Sequence, residues 1–195
     1  VLSGDLILID AGVEVESLYT ADVTRCFPIN GKFSQAQREI YELVYAAQRA
    51  GIAAVKPGVD FKEITMASHK VLAEGLEKMG VLPVSAEESM KPEVGLHRRW
   101  TVHGVSHMLG LDVHDCDGAR NENYRDGKLR AGMILTVEPG LYIQPDDEKF
   151  APEFRGIGIR IEDDVLITED GCVNLSENLP RHPDEIESWM ARLGN

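Results

Sequence analysis

The run Arg155-Gly-Ile-Gly-Ile-Arg-Ile-Glu-Asp-Asp164 reads as a strand, Gly156 to Ile161, that ends abruptly on three consecutive acids. Gly156 and Gly158 do not belong to a phosphate loop, because no Gly-x-Gly-x-x-Gly stands between a strand and a helix. Their expected role is close backbone approach within a sheet. Glu162 is the unusual residue, a carboxylate placed directly after an apolar strand rather than on a solvated helix face. Working outward, the same arrangement recurs. Glu138 follows the strand Met133 to Val137. Asp10 closes the apolar run Leu6 to Ile9, and Asp22 lies inside the β-branched and aromatic stretch Tyr19 to Phe27. Four carboxylates that converge in a core must be neutralised by protonation, by basic partners or by metal.

The segments between these strands are helical. Ser34 and Gln37 have the spacing of a capping box, and Ile40, Leu43, Val44 and Ala47 supply the stripe behind it. Lys56-Pro-Gly58 should stop that helix. Ile64, Ala67, Ser68, Val71, Leu72 and Leu76 mark a second one. Residues 83 to 95 read as a loop. Leu141 to Ile143 and Val165 to Thr168 complete the later strands, and Pro183 opens a short amphipathic helix through Ile186, Trp189, Met190 and Leu193. Strands, two helices, strands again and a closing helix predict an α+β fold in which helices cover one face of an antiparallel sheet. With no repeat, low-complexity tract or linker, residues 1–195 read as one domain.

Composition narrows the function classes. Twenty Lys and Arg against 33 Asp and Glu give a net charge of −13, which argues against a nucleic-acid surface. No apolar run approaches the ~20 residues of a membrane helix. Cys26, Cys116 and Cys172 are too few and too widely spaced for a disulfide framework or a metal knuckle, and they suit a cytoplasmic protein. The chain opens on Val1 and enters a strand pattern with no lead-in, so it reads as a piece of something longer.

His103-Gly-Val-Ser-His107 supplies imidazoles, and His114 follows. A zincin helix is excluded because Gly104 stands where the glutamate would be. On a strand, His103 and His107 would share a face. Surface or capping roles are expected of His69, His97 and His182, with His97 close enough to the His103 segment to reach a site. Carboxylates with one imidazole suit Mn²⁺, and also Co²⁺, Fe²⁺ or Zn²⁺. Two such cations would balance four carboxylates and support hydrolysis.

The ordered set Asp10, Asp22, His107, Glu138 and Glu162 resembles the metal ligands of the pita-bread metallopeptidases, and most nearly those of bacterial Xaa-Pro aminopeptidases (aminopeptidase P). Leu8-Ile-Asp-Ala-Gly12, Asp22-Val-Thr-Arg25, Phe33-Ser-Gln-Ala-Gln-Arg-Glu-Ile-Tyr41, His103-Gly-Val-Ser-His107, Leu111-Asp-Val-His-Asp115, Thr136-Val-Glu-Pro-Gly-Leu-Tyr142 and Arg155 to Asp164 carry the resemblance over nearly the whole chain. It implies the pita-bread (creatinase/aminopeptidase) fold, with the N-terminal part of that fold and a preceding domain absent or supplied by another chain. It implies that Asp22 and Glu162 bridge two metals, most often manganese. Asp10 would chelate one, and His107 with Glu138 the other. Glu138 would also transfer protons, His103 and His114 would contact the substrate, and Arg160 would orient the carboxylates. The implied substrate is a peptide with proline second, and the implied assembly a homo-oligomer. Prolidase, a dipeptidase with the same ligands, and a non-catalytic binding module are the competing readings. One spacing departs from the family: Asp10 and Asp22 are one residue further apart than the pattern, which a turn could absorb but a continuous strand could not.

Overall fold

A computed structural model of the chain describes residues 1–193. It opens with the antiparallel hairpin β1 (Leu6–Ala11) and β2 (Val23–Pro28). Helices α1 (Gln35–Ala54) and α2 (Lys62–Lys78) follow, then a single turn α3 (Ala86–Ser89). Five short strands come next: β3 (Ile134–Val137), β4 (Gly140–Tyr142), β5 (Gly158–Arg160), β6 (Asp163–Ile167) and β7 (Cys172–Asn174). Helix α4 (Pro183–Leu193) closes the described chain. The strands form three antiparallel sheets, β1-β2, β3-β6-β7 and β4-β5. No helix among the described residues is long and apolar enough to cross a membrane.

Local chemistry explains why these elements form. The Ser34 side chain accepts from the Gln37 amide, and the Gln37 side chain accepts from the Ser34 amide. This reciprocal cap stabilises the start of α1 by about 1 kcal/mol. Ile40, Tyr41 and Val44 on its inner face are fully buried against Leu72 and Leu76 of α2 and Leu141, Ile159 and Ile161 of the β4–β5 region. Each such side chain contributes roughly 1.5–3 kcal/mol through burial. Gly51 permits close packing deeper in the layer, since a Cβ there would lie 2.5 Å from Ser68 Oγ and 2.8 Å from Val137 Cγ1. Both helices therefore cover one side of the strands and leave the other side free to build a site.

Several expectations are corrected. Only the second half of Tyr19–Phe27 lies in a ladder, with Thr20 contributing an isolated bridge to Glu14. The region 83–95 contains the one-turn helix α3, capped by Ser85 and too short to leave a periodic signal. Residues 101–107 are irregular rather than a strand. Among the histidines, His182 accepts from the Asp184 amide at the start of α4, as a capping role requires. His69 and His97 are buried instead of superficial, each 4% exposed. His97 Nδ1 lies 3.0 Å from Ser89 O, and its Nε2 lies 3.3 Å from His69 Nδ1. A carbonyl can only accept, so His97 Nδ1 carries a proton, and His69 Nδ1–H donates to His97 Nε2 when both rings are neutral.

Candidate metal centre

The β1-β2 register pairs Asp10 with Thr24 and Ala11 with Val23. Its continuation sets Gly12 opposite Asp22, and the Glu14–Thr20 bridge keeps the same register. Asp10 and Asp22 are thus diagonal neighbours on one face. Leu18 N donates to Val15 O at 2.8 Å, and Val15 N donates to Tyr19 O at 3.0 Å. Residues 16–18 therefore form a three-residue hairpin loop, with Leu18 at φ 67° in the left-handed position that such loops require. The loop absorbs the long Asp10–Asp22 spacing without turning either carboxylate off its face. Gly12 is obligatory there, because a Cβ would lie 2.0 Å from Ala21 O.

His107 and Glu138 meet through a different edge. Leu109 N donates to Ile134 O, Thr136 N to His107 O and Glu138 N to Val105 O, at 2.8–3.0 Å. The irregular 105–109 segment is thereby laid antiparallel along β3 and just beyond it. That pairing sets His107 opposite Thr136 and diagonal to Glu138. His107 Nδ1 lies 3.0 Å from Met108 O, so it carries the proton and donates to the carbonyl. Burial lowers the His107 pKa and keeps the ring neutral. Its Nε2 lone pair faces Asp22 Oδ2 at 3.6 Å and Glu138 Oε1 at 3.5 Å. A lone pair facing two carboxylate oxygens is an arrangement that a cation between them would stabilise.

Glu162 stands between β5 and β6 and is 1% exposed. Thr24 Oγ1 donates to its Oε2 at 2.6 Å and accepts from Arg160 Nε at 3.0 Å. A guanidinium can only donate, so the single hydroxyl proton of Thr24 must go to Glu162. Arg160 also binds Asp10 Oδ2 and donates to Tyr142 OH at 3.4 Å. Burial followed by Glu138's charge raises Glu162 to about 8. Burial raises Glu138 to about 7, with Arg160 opposing and Asp22 and Asp10 adding to the shift. Burial, then the hydrogen bond and charge of Asp10, push Asp22 up to about 6. Acidic groups held this far up lack positive charge. One donor atom each from Asp22, His107 and Glu162 lies within 4.8 Å of the others. Hard oxygens plus one oriented imidazole fit divalent cations.

The remaining nominated residues close around this cluster. His103 Nδ1 lies 2.6 Å from Gly104 O and its Nε2 2.7 Å from Tyr142 OH, while the His114 ring stands edge-on to His107 at 4.5 Å between centroids. Asp10, Asp22, His103, His107, His114, Glu138, Arg160 and Glu162 all line one open cavity of about 390 Å³, together with Ser106, Asp117 and Arg125. Sequence reasoning missed Thr24, Tyr142, Asp117 and Arg125. Thr24 was within reach, because it sits two residues after Asp22 and so shares its face of β2.

Comparison with known proteins identifies the family. The sequence profile of Metallopeptidase family M24 matches residues 1–169. Xaa-Pro aminopeptidase 1 of Streptomyces coelicolor is 58% identical over 193 residues, which cover 99% of this chain and 39% of that protein. The Xaa-Pro aminopeptidase of Escherichia coli is 48% identical over 188 residues, covering 96% of this chain and 41% of that protein. Aminopeptidase P from E. coli, solved with the inhibitor Pro-Leu, superposes with a TM-score of 0.90 at 46% identity, over 97% of this chain and 42% of its own. Pseudomonas aeruginosa aminopeptidase PepP gives 0.92 at 42% identity, over 98% and 42%. The fold is the pita-bread fold of these enzymes, and the chain spans about two fifths of the length of the curated relatives it matches.

Proposed function

The chain belongs to metallopeptidase family M24, and from that premise we propose that it forms most of the catalytic domain of a metal-dependent aminopeptidase cutting Xaa-Pro bonds. The observation that carries the reading is the His107 ring. Its tautomer is set by Met108 O, and its free lone pair faces Asp22 and Glu138 inside a ring of under-neutralised carboxylates. The 48–58% identity to Xaa-Pro aminopeptidases supports the choice of substrate.

Two divalent cations, manganese by preference, would be held by Asp10, Asp22, His107, Glu138 and Glu162. When bound, they supply Lewis-acid polarisation of the scissile carbonyl and a water nucleophile at neutral pH. Glu138 takes up the proton released by the attacking water at its carboxylate and returns it to the departing proline nitrogen. Water and peptide thus become a free amino acid and a peptide beginning with proline. His103 and His114 stand at the cavity wall beside the substrate, and His103 is held there by its Nδ1–H donating to Gly104 O and by Tyr142 OH donating to its Nε2. Arg160 and Thr24 hold Asp10 and Glu162 in place through hydrogen bonds. The free thiols of Cys26, Cys116 and Cys172 favour a reducing, cytoplasmic setting. We take the working form to be a homo-oligomer that includes the rest of the polypeptide.

The test is manganese-dependent release of the first residue from an Xaa-Pro-Yaa tripeptide beside an Xaa-Pro dipeptide. Chelator-sensitive cleavage of the tripeptide, with the dipeptide left intact, is expected. Cleavage of the dipeptide alone would make the enzyme a prolidase. No cleavage of either by the manganese-loaded full-length protein would overturn the peptidase reading and favour a binding module.

A further inference from the structure

The candidate carboxylate ligands come from the β1-β2 hairpin and from the two connections between the other sheets. Asp10 and Asp22 belong to the β1-β2 hairpin, Glu138 lies between β3 and β4, and Glu162 lies between β5 and β6. No ladder joins β2 to β5 or β6 among the described residues. They are joined by single hydrogen bonds, Asp22 N to Asp164 Oδ2 at 3.2 Å, Thr24 Oγ1 to Glu162 Oε2 at 2.6 Å and Arg160 Nε to Thr24 Oγ1 at 3.0 Å, and by one buried ion pair that grips the backbone on both sides. Arg25, next to Thr24 and three residues after Asp22, donates from Nη2 to Asp163 Oδ1 at 2.7 Å, and Asp163 directly follows Glu162. The two residues are 6% and 0% exposed. Arg25 Nη1 donates to the carbonyls of both Thr24, at 2.9 Å, and Glu162, at 2.5 Å. Glu162 N answers by donating to Thr24 O at 3.1 Å. Because a guanidinium is a rigid planar fork, these bonds fix the Glu162 backbone against β2 in position and orientation.

The other half of the pair is anchored just as firmly. Asp163 Oδ1 also accepts from Ser176 Oγ at 3.0 Å, and Oδ2 accepts from Gln48, Asn174 and Arg181, each at 2.7 Å. Donors from α1, β2, β7 and the segment before α4 thus meet on one carboxylate. Arg25 Nε donates to Pro180 O at 2.7 Å, so the guanidinium is held from a third direction.

We propose that the Arg25–Asp163 pair is a positioning unit that sets the separation of the Asp22 and Glu162 carboxylates, and so the affinity of the centre for divalent cations. This rests on the metal-centre reading above. Neither residue lines the cavity, so both act through the backbone of Thr24 and Glu162 rather than by touching substrate or metal.

The experiment compares wild type, Arg25→Lys and Asn174→Ala in the full-length protein. Manganese affinity is read by calorimetry, unfolding temperature is read in chelator, and kcat and KM are read with the tripeptide. Arg25→Lys keeps the charge and loses the fork. It should bind Mn²⁺ about 10–100-fold more weakly and lower kcat at saturating manganese, with KM within about twofold. Asn174→Ala removes one donor to the same carboxylate but no bond to the Thr24 or Glu162 carbonyls. It should lower the unfolding temperature while leaving manganese affinity within about twofold. Equal affinity in Arg25→Lys and wild type would overturn the proposal. So would affinity losses that track unfolding temperature alike in both variants, since that marks a purely structural pair. Should Arg25→Lys not fold, Asp163→Asn carries the same comparison with the same two outcomes. Wild-type protein that binds no manganese would instead overturn the metal-centre reading on which this one stands.

Discussion

At the scale of single residues, the site is governed by which atoms can donate a proton. Met108 O forces the proton of His107 onto Nδ1, and Arg160 forces that of Thr24 toward Glu162. The first leaves His107 Nε2 ready for a cation, and the second anchors the Glu162 carboxylate. Asp22→Ala removes one of the two carboxylates that face the His107 lone pair and should abolish both manganese binding and hydrolysis, as calorimetry and the tripeptide assay would read. Near-normal turnover in that variant would refute the assignment. His114→Ala should differ in kind. Its ring packs edge-on against His107 and it is outside the proposed ligand set. We expect metal binding within a few-fold of wild type and turnover reduced about 100-fold or more, the order typical of a lost acid–base or polarising group. Loss of metal would make His114 a ligand or an essential support of His107.

At the scale of elements, two contacts carry predictions. The first is the β1-β2 hairpin, where Gly12 faces Ala21 O with no room for a side chain. Gly12→Ala must push the two arms apart between Asp10 and Asp22. We expect a stability loss of about 1–3 kcal/mol in urea unfolding and weaker manganese binding in the same protein. The second is the His69–His97 contact, which fastens α2 to the turn Leu96–Arg99. Burial, reinforced by the charges of His97, Arg98 and His103, lowers the His69 pKa from 6.5 to about 4. The unfolded chain therefore takes up this proton first as pH falls. The associated stability is fully present above pH 6.5 and is lost progressively between pH 6.5 and about 4. It amounts to roughly 3 kcal/mol at most. His69→Leu should flatten that part of the stability–pH curve, and an unchanged slope would show that the buried ring does not govern it.

These elements also show what a sequence makes legible. The α1 cap, its stop at Lys56-Pro-Gly58 and the Pro183 start of α4 depend on residues within a turn of each other, and all three were readable. The buried histidine pair was not, because the chain between His69 and His97, 28 positions apart, carries no periodic signal that would bring them together. The 101–107 segment shows a subtler limit. Its composition suggested a strand, but the segment is irregular, and only its end from Val105 onward follows the edge that β3 supplies.

At the scale of the whole molecule, charge is the dominant fact. A chain of net charge −13 gathers carboxylates from the β1-β2 hairpin and from the connections between the other two sheets into one cavity, and supplies Arg160 as the cationic side chain on its wall nearest to them. Cations that bind the native cavity more tightly than the unfolded chain must stabilise the fold. At a free concentration 100 times the dissociation constant the gain is about 2.7 kcal/mol. For a chain of this size that corresponds to a rise of roughly 5–10 °C in unfolding temperature. A manganese titration followed by thermal unfolding should show this rise, and chelator should reverse it. The same titration in Asp22→Ala should be flat.

What the sequence determined by itself is the chemistry: four carboxylates in or beside strands, an imidazole and an arginine. It also determined the helices that cover the opposite side, since their caps and stripes are local. Only the tertiary structure decided that these groups meet in one cavity, that His107 presents Nε2, and that Arg25 and Asp163 tie the hairpin to Glu162. The reason is distance along the chain. Thr24 and Glu162 are 138 residues apart, as are Arg25 and Asp163. Bonds over such separations are set by the packing of helices and sheets into layers, which no local pattern of side chains encodes.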